Sequence, residues 1–171
     1  MVSVNLSARQ FAQPDLVARV GAIVEETRLE PGSLKLEVTE SVLMQDPEVA
    51  AAMLAELARR RVRICIDDFG TGYSSLSYLL RFPASTLKID RSFVTDMSAG
   101  SQHSEMVRTI VVLAHNLGMD VIAEGVESAE QVRHLQALDC DYMQGYLLSR
   151  PVDAPAAEEL LKGAPLLPAL A

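Results

Sequence analysis

Apolar positions along this chain alternate between two spacings. Short runs at 34–39, 64–67, 86–90 and 120–123 are too brief for helices and are bounded by Gly, Pro or polar residues, the pattern of buried strands. Between them, apolar residues recur every three to four positions, which places one stripe along a helix. The pattern predicts a strand over 2–6, then a helix opened by Pro14 and Asp15, carrying Leu16, Val17, Val20, Ile23 and Val24, and closed by Pro31 and Gly32. A strand over 34–39 and an Ala- and Leu-rich helix over 47–61 lead into a strand that stops at Asp67. A short helix over 75–82, a strand over 86–90, an amphipathic helix over 104–117 and a strand over 120–123 follow. Ser128 and Gln131 have capping-box spacing at the start of a helix over 128–138, and Tyr142 and Met143 begin the last strand. A helix over 155–161 ends at Gly163, so residues 1–163 read as one domain and 164–171, rich in Ala, Leu and Pro, as a tail or linker.

About six strand-then-helix units specify parallel pairing, with strands apolar on both faces. A doubly wound sheet and an eight-stranded barrel both satisfy that alternation. The strand ends separate them, because a barrel gathers reactive groups at the carboxyl ends of several strands. Those ends carry Asn5, Glu37, Asp67 with Asp68, Lys88 with Asp90, Glu124 and Gln144, and no Gly-rich phosphate loop follows the first strand. A TIM-like (β/α) barrel is therefore expected. Since a full barrel takes about 250 residues, it is expected to be incomplete, lacking the first one or two strand-helix units. Its open edges would then favour self-association into a homo-oligomer.

Composition narrows the function. The 171 residues are 49% hydrophobic, enough for a substantial core, and carry a formal charge of −8, which argues against a sequence-independent grip on duplex nucleic acid or an anionic membrane. Cys65 and Cys140 have no metal-ligand spacing and read as buried thiols. No membrane span or signal peptide stands out, so a cytoplasmic location is expected.

The stretch from Ile64 to Gly72 carries the chemistry. Side chains alternate along a strand, so Asp67 and Asp68 share a ligand only if Asp68 has left it, a turn that Gly70 and Gly72 permit. Turn capping by aspartate is the plainer alternative. Glu37 and Lys88 are charges set in apolar strands, either as a structural ion pair or as part of a site. In the functional alternative, Asn5, Glu37, Asp67, Asp68 and Glu124 form an all-oxygen cage for two hard cations, Mg²⁺ or Mn²⁺. Such a pair suits phosphodiester hydrolysis, with Lys88 offsetting charge or orienting the water. Glu40, past the strand end, is better placed to brace a neighbouring loop than to bind metal, although a solvated loop glutamate or helix cap has the same spacing. His103, His115 and His134 lie away from the strand ends.

Six segments in order complete the pattern: Asn5-Leu6-Ser7, Glu37-Val38-Thr39-Glu40, Asp67 to Gly72, Lys88-Ile89-Asp90, Ala123 to Glu127, and Gln144-Gly145-Tyr146. This succession resembles the EAL family of cyclic di-GMP phosphodiesterases across essentially the whole chain. The resemblance implies a TIM-like barrel, two Mg²⁺ or Mn²⁺ ions and opening of cyclic di-GMP to linear pGpG. It also implies Asn5, Glu37, Asp67, Asp68 and Glu124 around the metals, Lys88 assisting the water, Glu40 bracing the loop over 68–74, and Gln144 and Asp90 on the substrate side. The Glu-Ala-Leu signature itself is absent, so poor or no hydrolysis by this chain alone and fusion to an upstream sensory or cyclase domain are expected. Two other readings fit parts of the pattern: a cyclic di-GMP receptor that does not cut, and an enolase-type Mg²⁺ barrel in which Lys88 abstracts a proton.

Overall fold

Strands joined through intervening helices pair in parallel, because each crossover returns the chain to the same end of the sheet. The structure, a computed structural model, describes residues 1–163 apart from 31, 73–75 and 99, and follows this rule. Six strands, β1 (Val2–Asn5), β2 (Leu34–Thr39), β3 (Arg63–Phe69), β4 (Thr86–Ile89), β5 (Asp120–Ala123) and β6 (Tyr142–Met143), form one parallel sheet in sequence order. The predicted tail over 164–171, the Pro31 half of the first helix stop and the Ser75 start of the short helix lie outside the described residues. Among the described residues no helix is long and apolar enough to cross a membrane. The chain divides into two compact units, residues 1–88 with 114–120, and residues 89–113 with 121 onward.

In the first unit, the pairs Asn5 with Glu37, Glu37 with Cys65 and Thr39 with Asp67 fix the register of β1, β2 and β3. Leu36, Val38, Ile64, Ile66 and Leu87 are at most 3% exposed and form the apolar face, joined in the core by Leu43, Leu54 and Leu57. The opposite face is not apolar as the pattern suggested. Alternation puts Lys35, Glu37, Cys65, Asp67, Thr86 and Lys88 there, all of them buried.

The helices of this unit form where their ends are satisfied. Ser7 and Gln10 build a capping box on α1 (Ala8–Phe11), an element the hydrophobic pattern missed because four residues carry no readable period. The next helix, α2 (Leu16–Thr27), ends not at Pro31 and Gly32 but at Arg28, whose φ of 52° is a left-handed cap. Glu40 begins the short α3 (Glu40–Leu43), and α4 (Pro47–Arg59) starts with Asp46 accepting from the Val49 N–H and with Pro47 in its first turn. The helix predicted over 75–82 is a single turn, α5 (Leu76–Leu79).

The second unit begins at the end of β4. The carboxylate of Asp90 caps α6 (Arg91–Thr95), a helix that the motif Lys88-Ile89-Asp90 concealed because it follows the strand without a loop. After α7 (Gln102–Asn116) and β5, the Ser128 and Gln131 capping box opens α8 (Ala129–Ala137) as expected. Gln131 also ties that helix to α6 by donating to the Val94 carbonyl at 3.0 Å. The last helix, α9 (Ala154–Lys162), stops at Gly163.

Candidate active site

Because β2, β3 and β4 each place a charged residue on the same face, three side chains converge in the first unit. The Lys88 ammonium lies 2.8 Å from Glu37 Oε2 and 3.1 Å from Asp67 Oδ1, with all three side chains almost wholly removed from water. One buried ammonium is thus shared by two carboxylates, an arrangement that an isolated ion pair does not have. Parity along the strands carried this signal: Cys65 and Asp67 share the face of Glu37 and Lys88.

Strand β3 does not stop at the carboxylates, as the sequence suggested, but continues through Phe69. The break expected at Asp68 is instead a backbone twist, with φ at 53°, a conformation that aspartate tolerates better than most residues. The Asp68 N–H donates to Asp67 Oδ1 at 3.0 Å, which fixes the first carboxylate while the chain turns. Beyond it, the Thr71 hydroxyl donates to the Asp68 carbonyl at 2.9 Å.

Glu40 is 1% exposed, which removes the solvated-loop alternative. Its Oε2 accepts from the Gly70 N–H at 2.9 Å, and a Cβ at Gly72 would lie 3.0 Å from its Oε1. That Oε1 has no hydrogen-bond partner among the described residues. The carboxylate thus sits beneath the start of the loop that follows β3; residues 73 and 74 of that loop lie outside the described residues. Asn5, exposed at the end of β1, lies in register beside Glu37, whose carbonyl accepts the Leu6 N–H at 2.8 Å.

In the second unit, Glu124 follows β5 directly and its N–H donates to the Ile89 carbonyl at 3.2 Å. Gly125 then takes a φ of 70°, and a Cβ there would come within 2.6 Å of the Arg91 Cβ, so the turn needs glycine. Gln144 leaves β6 exposed, donating its N–H to the Ala123 carbonyl at 2.9 Å and accepting the Val126 N–H at 3.1 Å. Asp90 is partly exposed, and its carboxylate is engaged by the Ser92 N–H at 3.0 Å and the Ser92 hydroxyl. Burial works to raise its pKa, but those hydrogen bonds and Arg91 outweigh it and hold the group below the usual carboxylate range.

Parallel strands in sequence order, interleaved helices and carboxylates near the strand ends define a (β/α) barrel of the TIM-like class, here with six strands instead of eight. The family profile of the EAL domain matches residues 1–151, and the chain belongs to that family. It is 47% identical over 160 residues to MucR of Pseudomonas aeruginosa, a bifunctional diguanylate cyclase/cyclic di-GMP phosphodiesterase, covering 94% of this chain and 23% of MucR. The solved PaMucR phosphodiesterase in complex with cyclic di-GMP superposes with a TM-score of 0.89 at 46% identity, over 91% of this chain and 69% of that one. The manganese and cyclic di-GMP complex of Klebsiella pneumoniae BlrP1 gives a TM-score of 0.79 at 33% identity, over 87% of this chain and 38% of that one. The chain spans roughly a quarter of the length of curated relatives such as MucR.

Proposed function

We propose that this chain supplies the hydrolytic site of a metal-dependent phosphodiesterase that opens cyclic di-GMP to linear pGpG. The observation that carries the reading is the shared lysine: Lys88 pairs with both Glu37 and Asp67, and these buried carboxylates together with Asp68 exceed its single positive charge. A surplus of oxygen donors and negative charge fits hard divalent cations and does not fit zinc. We assign Asn5, Glu37, Asp67, Asp68 and Glu124 as the oxygen donors for a pair of Mg²⁺ or Mn²⁺ ions. The bound metals would supply Lewis-acid activation of the phosphodiester and of the attacking water.

The chain's own residues do the rest. Lys88 holds Glu37 and Asp67 in place and offsets charge that develops on the phosphoryl oxygens. The Asp68 N–H orients the Asp67 carboxylate, and Glu40 anchors the loop after Asp68 through Gly70. Gln144, exposed beyond β6, is assigned to the substrate; Asp90 is assigned there too, and its capping of α6 makes it a positioning residue for the start of that helix. We include self-association in this reading. Location in the cytoplasm belongs to the same reading.

The test is incubation of this polypeptide with cyclic di-GMP and Mn²⁺ or Mg²⁺, with and without chelator, followed by product analysis. Slow, metal-dependent pGpG formation that Asp67→Asn abolishes is the expected result. Equal turnover by wild type and Asp67→Asn would overturn the site assignment, and binding without cleavage would assign a receptor role instead.

A further inference from the structure

Lys35 is a buried cation that faces no carboxylate at hydrogen-bond distance. It is 3% exposed, and its ammonium donates to Thr86 Oγ1 at 2.7 Å, the one side-chain partner recorded for it among the described residues. Burying an ammonium against a neutral hydroxyl is expensive in free energy, so some wider electrostatic field must favour it there. The strand geometry identifies that field. Lys35 stands two residues before Glu37 on β2, and Thr86 two residues before Lys88 on β4, so the Lys35 and Thr86 pair forms the layer immediately below the Glu37 and Lys88 pair on the same face. Cys65, between them on β3, reports the same convergence. Its thiol is pushed up to about 12, by burial first and by Glu37 and Asp67 after it, with Lys35 and Lys88 opposing.

Resting on the metal reading given above, we propose that Lys35 is a fixed counter-charge beneath the acidic cluster, a positioning residue that balances Glu37 and Asp67 and limits how tightly the cluster holds divalent cations. On this face Lys35 and Lys88 stand with Glu37 and Asp67, all four buried, so removing Lys35 leaves two negative groups with one positive group. A cation entering above then meets less repulsion. For a unit charge and a divalent cation roughly two strand layers, about 13 Å, apart in an effective dielectric of about 20, that loss of repulsion corresponds to a gain in cation affinity on the order of a hundredfold.

The experiment is a titration of this chain with Mn²⁺, following free Mn²⁺ by electron paramagnetic resonance, on wild type, Lys35→Met and Lys35→Arg. Lys35→Met is expected to bind Mn²⁺ on the order of a hundredfold more tightly, while Lys35→Arg, which keeps the charge, stays near wild type. A purely structural role would alter the melting temperature without moving the Mn²⁺ affinity. Should Lys35→Met fail to fold, Lys35→Gln, which keeps a donor for Thr86, is read in the same way. An unchanged or weaker affinity in the neutral variant overturns the counter-charge proposal alone; absence of Mn²⁺ binding by wild type overturns the metal reading and the proposal with it.

Discussion

Replacing Lys88 with methionine is the sharpest probe of the charged face. The substitution keeps most of the side-chain volume but deletes an ammonium that lies 2.8 Å from Glu37 and 3.1 Å from Asp67. Two buried carboxylates then face each other with no cation between them, and breaking a buried pair in this way costs about 3–5 kcal/mol. With a urea dependence of about 2 kcal/mol per molar, the unfolding midpoint of the metal-free chain should fall by roughly 2 M. The assay is urea unfolding in chelator at pH 7, repeated in excess Mn²⁺, where a cation bound to the folded state should recover part of the loss. A midpoint within about 0.5 M of wild type at pH 7 would refute the view that Lys88 compensates these two carboxylates.

Glu40→Ala should remove a charge-assisted hydrogen bond, cost about 1.5–3 kcal/mol and speed amide exchange at Gly70; unchanged exchange there would dismiss the bracing role. Gly145→Ala should destabilise the second unit by about 1–3 kcal/mol or more, because the new Cβ would lie 2.1 Å from the Val126 carbonyl oxygen and 2.3 Å from its nitrogen, both backbone atoms; an unaltered thermal melt would contradict this packing. Burial raises Cys65 to about 12 and Cys140 to about 11 from an ordinary value of 9.0, so their contribution to stability is intact below pH 9 and lost as pH climbs through the raised values. Iodoacetamide at pH 8 should accordingly label the denatured chain quickly and the native chain slowly, and rapid native labelling would exclude the burial described.

Strand order and helix positions were legible in the sequence because burial leaves a periodic trace. The strands over 34–39 and 120–123 and the Ser128 capping box stand as the pattern predicts, since each is set by neighbours within a few residues. The elements that escaped, α1, α3 and α6, are one turn or little more and follow a strand closely, so neither length nor period announces them. The stop of α2 at Arg28 was unreadable for a different reason: the left-handed residue is an arginine, and its backbone angle leaves no mark in composition.

The sequence by itself determined which residues are candidates for chemistry, because Glu37, Asp67, Asp68 and Lys88 are charges in or beside apolar runs and recur in a family order. It could not determine how they share charge. Whether Lys88 served one carboxylate or two depended on the register that sets Glu37 against Cys65 and Thr39 against Asp67, a relation between strands far apart along the chain. The same holds for Lys35, which local pattern presents as one polar residue in a strand; the sheet buries it against Thr86, directly under the acidic cluster. Local sequence fixes what a strand end offers, whereas pairing across strands decides which charges meet, since Coulomb energy depends on separation in space and on removal from water.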